Sequence, residues 1–86
     1  MNTEEFPKLS SNNRDELIKH EQSGCYFCIR TFGSGEVTEF TDGGRTALCP
    51  RCNVDAVLPG ITDAIFLAQG LRRWFTGTKL PNETIR

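Results

Sequence analysis

Two C-x2-C pairs constrain this chain more than any other feature. Cys25-Tyr-Phe-Cys28 and Cys49-Pro-Arg-Cys52 are separated by the 20 residues Ile29 to Leu48. That interval lies within the roughly 15–20 residues found between the pairs of four-thiolate zinc sites. Each short turn aims two soft sulfur donors at one point, and a tetrahedral ion accepts four of them. Pro50 fixes φ inside the second turn, and Asn53 just after it tolerates the positive φ that such a turn needs. At 86 residues and 9.6 kDa the chain is one domain with a thin core. Domains of that size commonly lean on a metal or on disulfides.

The cysteines admit other readings, and these stay open at the level of sequence. Iron fits the same cage as zinc. A disulfide framework is possible, although Met1 to Ser10 shows neither the basic nor the apolar region of a secretory signal. Cys49-Pro-Arg-Cys52 taken alone suggests a redox dithiol, and four ordinary buried cysteines are the plainest alternative. The paired spacing makes one structural Zn2+ held by Cys25, Cys28, Cys49 and Cys52 the leading expectation. His20 is a conceivable substitute ligand, but the site is full without it. A four-thiolate zinc leaves no open position for water and is structural rather than catalytic.

The rest of the chain reads as a small α+β arrangement. Residues 1–11 are expected to be a flexible arm, residues 12–77 a single zinc-binding domain, and residues 78–86 a tail. Asn12 and Asn13 are suitable caps for a short N-terminal helix with Asp15 and Glu16 in its first turn. Leu17 and Ile18 anchor it, and Ser23-Gly24 stops it. Val37 to Phe40 and Arg45 to Leu48 are β-prone runs around Thr41-Asp42-Gly43-Gly44, a hairpin signal between the cysteine pairs. A longer helix follows Leu58-Pro59-Gly60, with Thr62 as cap and Ala64, Leu67, Ala68, Leu71 and Trp74 or Phe75 on its apolar face. Gly70 weakens its interior. The expected fold is thus a zinc ribbon or treble-clef-like hairpin module between a short and a longer helix. The two differ in whether the second cysteine pair leads to a strand or starts a helix. Phe27, Phe32 and Phe40 are expected in the core, Tyr26 exposed in its turn, and Asp55 beside the second knuckle.

The stretches GCYFCIRTF, TDGGRTALCPRCNVDAVLPG and FLAQGLRRWF resemble a family of small bacterial and phage cytoplasmic four-cysteine proteins. Their pattern is C-x2-C after a short helix, then T-A-L-C-P-x-C-x-x-D, then a helix ending near W-F. The matching positions are Cys25, Cys28, Thr46, Ala47, Leu48, Cys49, Pro50, Cys52, Asp55, Val57, Phe66, Leu67, Trp74 and Phe75, within about residues 12–76. Asn53 stands where relatives carry Gly, and the connection from Leu58 to Ile65 is shorter. The resemblance implies a zinc-binding cytosolic protein of bacterial or phage origin, and it brings no activity with it.

Charge narrows the partner. The net charge of −1 and pI near 5.7 lack the signature of a strongly basic nucleic-acid-binding domain, and four thiolates around Zn2+ take the chain to about −3. Residues 64–86 nevertheless carry Arg72, Arg73, Lys79 and Arg86 against Glu83, or +3, with −4 on residues 1–63. Arg72, Arg73, Trp74 and Lys79 are therefore the candidate partner-binding residues, set against the simpler reading of a core Trp and of cations suited to a helix end. No apolar run approaches the ~18 residues of a membrane span, so no membrane role is expected. No phosphate loop, dinucleotide motif or nucleophile motif is present. The expectation is a non-enzymatic cytoplasmic module that binds a protein, as adaptor or inhibitor, with a basic partner favoured. The alternatives are a nucleic-acid-binding zinc-ribbon regulator using Arg45, Arg51, Arg72, Arg73 and Lys79, and a redox-sensing zinc switch.

Overall fold

A computed structural model of the chain describes residues 3–76. A 3-10 turn, Thr3–Glu5, runs into the one-turn helix α1 (Phe6–Leu9), and a second short helix, α2, covers Arg14–Leu17. The strands β1 (Gln22–Cys25), β2 (Arg30–Gly33), β3 (Phe40–Thr41), β4 (Thr46–Ala47) and β5 (Val57–Pro59) follow, then α3 (Ala64–Leu71). A wider π-type turn, Arg72–Thr76, continues α3. The strands make two antiparallel sheets, one ordered β2-β1-β5 and the other β3-β4. The second cysteine pair leads into β5 rather than into a helix. That places the small α+β fold on the ribbon side of the two expected architectures.

The hairpin between the cysteine pairs is present but shorter than its β-prone runs. Phe40 pairs with Ala47 and Thr41 with Thr46. Asp42, Gly43 and Gly44 all take positive φ, at 55°, 70° and 90°. A turn of that handedness is what Asp-Gly-Gly supplies at low steric cost. The three-stranded sheet is the larger surprise. Ser23 and Gly24, expected to end a helix, lie inside its central strand, where Gly24 pairs with Thr31 and Leu58.

The expected loose arm over residues 1–11 does not describe residues 3–11. Phe6 is fully buried and packs tilted against Tyr26 and edge-on to Phe66, with ring centroids 4.9 Å away in both cases. Removing an aromatic ring of that size from water offsets part of the cost of ordering one helical turn. Tyr26, expected exposed, is 4% exposed for the same reason, because Phe6 closes over it. Gly70 is the space that Phe6 needs: a Cβ there would collide with the Phe6 ring. The residue that weakens α3 locally is what lets it pack.

The short helix α2 also differs. It ends at Leu17, which is buried, and leaves Ile18 exposed. Asn13 precedes it without capping it. Its amide is buried and donates to the carbonyls of Val57 at 2.8 Å and Leu9 at 3.2 Å, while its Oδ1 accepts from the Ala47 N–H at 3.0 Å. One buried side chain therefore ties α1, β4 and β5 together, with both ends of its amide satisfied. At α3 the cap is Asp63 rather than Thr62, its Oδ1 accepting from Ile65 N–H at 2.9 Å and Phe66 N–H at 3.4 Å. Leu67 and Gly70 face the core, whereas Ala64 and Ala68 are exposed, so the apolar face is rotated from the expected one. Phe32 is buried as expected, and Phe27 is exposed on the knuckle, edge-on to Phe75 at 4.8 Å. The tail, residues 78–86, lies outside the described residues.

Candidate metal centre

The two cysteine pairs form matching turns. In the first, Ile29 N–H donates to the Cys25 carbonyl at 3.0 Å, and in the second Asn53 N–H donates to the Cys49 carbonyl at 2.9 Å. The residue that closes each turn is left-handed, with φ of 58° at Ile29 and 66° at Asn53. Backbone N–H groups are thereby turned onto sulfur: Phe27 N–H reaches Cys25 Sγ at 3.4 Å, and Arg51 N–H reaches Cys49 Sγ at 3.3 Å. Asn53 carries this conformation readily, whereas a β-branched Ile carries it at a cost. The sequence offered one sign of the Ile29 turn, its position four residues after Cys25, which matches that of Asn53 after Cys49.

The elements then bring the turns face to face. The first knuckle joins β1 to β2, where Cys25 pairs with Arg30. The second enters β5, and β5 pairs back onto β1 through Cys25 and Val57. All four Sγ atoms lie within 4.8 Å of one another, with Cys25–Cys52 and Cys28–Cys49 each at 3.7 Å. A tetrahedron with metal–sulfur bonds of ~2.3 Å has sulfur–sulfur edges of about 3.8 Å. These sulfurs therefore sit at metal-chelating separation, and all four cysteines are free of disulfides. Cys25 and Cys49 are buried and Cys28 and Cys52 half-buried, so the cage has a closed back and a partly open front. His20 does not join this cluster, and its exposed ring lies against Gly60.

The electrostatics explain why the cage wants a cation. Burial pushes the Cys25 thiol up, against the N–H groups of Cys28 and Phe27. Burial also pushes Cys52 up to about 11. At Cys49 burial works in the same direction but is outweighed by the Arg51 and Cys52 N–H groups and by its thiol neighbours, and the group ends below its ordinary value. Thiolates this close repel in the absence of a positive charge between them. A divalent ion reverses that balance, and four sulfur donors suit zinc. Filled in this way, the site has no position left for a substrate.

Beside the second knuckle, Arg51 pairs with Glu36 at 2.9 Å. The Gly33 N–H, also 2.9 Å from Glu36, together with Arg51 holds that carboxyl below its ordinary range. Asp55, expected to brace this knuckle, is exposed.

The candidate partner-binding residues fall elsewhere. Arg73 pairs with Glu4 at 2.8 Å and lies over the Trp74 ring, 4.7 Å from its centroid. Trp74 is half-buried, and its Nε1 donates to the Thr3 carbonyl at 2.7 Å. Arg72 is exposed, and Lys79 lies outside the described residues. Arg73 and Trp74 thus belong to a clasp over the Thr3–Glu5 turn. Among the described residues no helix is long and apolar enough to cross a membrane. No family model, curated protein or solved structure matches the chain.

Proposed function

We propose that the protein is a non-catalytic module in which one structural Zn2+ fixes a small rigid surface for binding a protein partner, as adaptor or inhibitor. The single observation that carries this reading is the cluster of four sulfurs within 4.8 Å of one another. A tetrahedral ion saturated by four protein thiolates acts on stability and shape, not on substrate. The acidic balance of the chain supports a protein partner over nucleic acid. So does the pairing of Arg51 with Glu36 and of Arg73 with Glu4, which neutralises two cations that a nucleic-acid reading needs. Kinship with bacterial and phage cytosolic proteins of this cysteine pattern belongs to the same proposal.

The test is affinity capture by the zinc-loaded chain from host lysate, with and without nuclease, followed by mass spectrometry. A stoichiometric protein that persists after nuclease is the expected result. Recovery of nucleic acid, with proteins lost on digestion, would overturn the protein-binding reading.

A further inference from the structure

Two guanidinium groups, Arg45 of the turn between β3 and β4 and Arg14 of α2 beside it, have no acid opposite them among the described residues. Among the described residues the ion pairs are Lys19–Glu16, Arg51–Glu36 and Arg73–Glu4, and neither Arg14 nor Arg45 takes part. Both are nonetheless held in place. Arg14 Nη1 donates to the Gly44 carbonyl at 2.9 Å, and its guanidinium lies 4.4 Å over the Phe40 ring. Arg45 Nε donates to Asn12 Oδ1 at 3.0 Å. The backbones are joined as well, since Arg14 N–H donates to the Arg45 carbonyl at 3.0 Å. One guanidinium donor of each is engaged, Nη1 of Arg14 and Nε of Arg45, and among the described residues neither guanidinium forms an ion pair.

The placement is specific. A Cβ on Gly43 would sit 3.5 Å from Arg45 Nη1, and a Cβ on Gly44 would sit 3.3 Å from Arg14 Nη1. The two forks thus flank two consecutive residues of one turn, where the lack of side chains opens the backbone to close approach. The carboxylate within the turn, Asp42, is turned to Thr46, whose Oγ1 donates to it at 2.8 Å. Asp15, beside Arg14 in sequence, makes no ion pair with it. Immobilised planar forks recognise oxyanions with little further ordering cost.

We propose that the β3–β4 turn is an oxyanion-binding tip that docks an acidic segment of a protein partner, with Arg14 and Arg45 receiving its carboxylates or phosphoryl groups. The proposal rests on the interaction-module reading in taking the oxyanion to belong to a protein. A nucleic-acid strand fits less well. Two forks give few phosphate contacts, and the remainder of an acidic chain repels an extended polyanion. A short acidic peptide can meet the tip alone, so the segment docked here is a local exception to the basic partner that the overall charge favours.

The experiment titrates the isotopically labelled, zinc-loaded full chain with a glutamate-rich peptide, a phosphoserine peptide of equal length and an oligothymidine, at low and moderate salt. Saturable amide shifts centred on Gly43, Gly44 and Arg45 with either peptide support the tip, and the stronger peptide identifies the oxyanion. Arg45→Gln is expected to weaken binding about tenfold, a loss of ~1.4 kcal/mol. Arg45→Lys restores only part of it, because the charge returns without the fork. Arg14→Gln also releases Phe40, so its loss counts only with an unchanged amide spectrum elsewhere. Absence of saturable shifts at the turn, equal binding by Arg45→Gln, or tighter binding of oligothymidine than of both peptides would overturn the proposal. Peptide binding at the tip with no protein captured from lysate sinks the module reading and keeps the tip. A captured protein held equally well by Arg45→Gln does the reverse.

Discussion

The indole Nε1 of Trp74 donates to the carbonyl of Thr3 at 2.7 Å, which ties the turn after α3 to the first described turn of the chain. Trp74→Phe keeps an aromatic ring but removes the donor together with part of the indole, leaving a part-buried carbonyl without its partner. The expected cost is about 1 kcal/mol, read as a lower denaturant midpoint with an unchanged slope. Arg73→Ala breaks the exposed pair with Glu4 and is expected to cost no more than ~1 kcal/mol, less at high salt. If Trp74→Phe proves neutral, the clasp is a contact without energetic weight.

Gly70→Ala separates local propensity from packing. Alanine in a helix interior gains up to about 1 kcal/mol over glycine, yet here its Cβ meets the Phe6 ring. Overpacking of that kind costs ~1–3 kcal/mol, so the expected net effect is destabilisation. Phe6→Ala should cost about 3–5 kcal/mol on its own. Combining it with Gly70→Ala should cost less than the sum, because the clash disappears with the ring. Thermal melts of the two single variants and the double variant check this.

Removal of the metal by a chelator is expected to unfold the central knuckles, because binding at such sites is worth on the order of 10 kcal/mol. Cys49→Ser should have the same effect on the fold. The pH dependence has a definite sign. The thiols of Cys25 and Cys52 are held up by burial, Cys52 to about 11, and binding must remove their protons. Apparent affinity therefore rises with pH through neutrality and into the alkaline range, and the loaded fold is lost as pH falls. Competition against a chromophoric chelator should show more than one decade of affinity per pH unit. A flat profile would mean that the sulfurs are not the ligands.

Asn53 and Ile29 occupy equivalent positions with positive φ, at 66° and 58°. Asn53 is exposed, so Asn53→Gly should be nearly neutral and Asn53→Ala destabilising by about 1 kcal/mol. Ile29 is half-buried against the core. Replacing it with Gly relieves the backbone but forfeits apolar contact, and the two effects should nearly cancel. A neutral Asn53→Ala would show that the second knuckle tolerates right-handed backbone after all.

What the sequence revealed follows from which signals are local. The two C-x2-C turns and the Asp42-Gly43-Gly44 turn are each set within a few residues and appear in the fold, while the α3 helix appears with its apolar face rotated and Asp63 as its cap. The β2-β1-β5 sheet was hidden because Gln22-Ser-Gly-Cys25 and Val57-Leu-Pro59 have no alternating pattern. Their pairing is imposed by the converging knuckles and not by strand propensity. Asn13 looked like a cap because its type suits one; only the approach of β4 and β5 makes it a buried brace. Phe6 stays hidden among its polar neighbours, since a lone aromatic in a charged stretch gives no period to read.

Cys25 is both a member of the sulfur cluster and the residue of β1 that pairs with Val57. Without a linked cluster, that pairing must close a loop through residues 26–56. Once Cys25 and Cys52 share an ion, only residues 53–56 separate the bound point from the partner strand. Metal capture turns a distant encounter into a local one, and local closures are fast. The rate at which β5 finds β1 is then a property of ion supply as much as of the polypeptide.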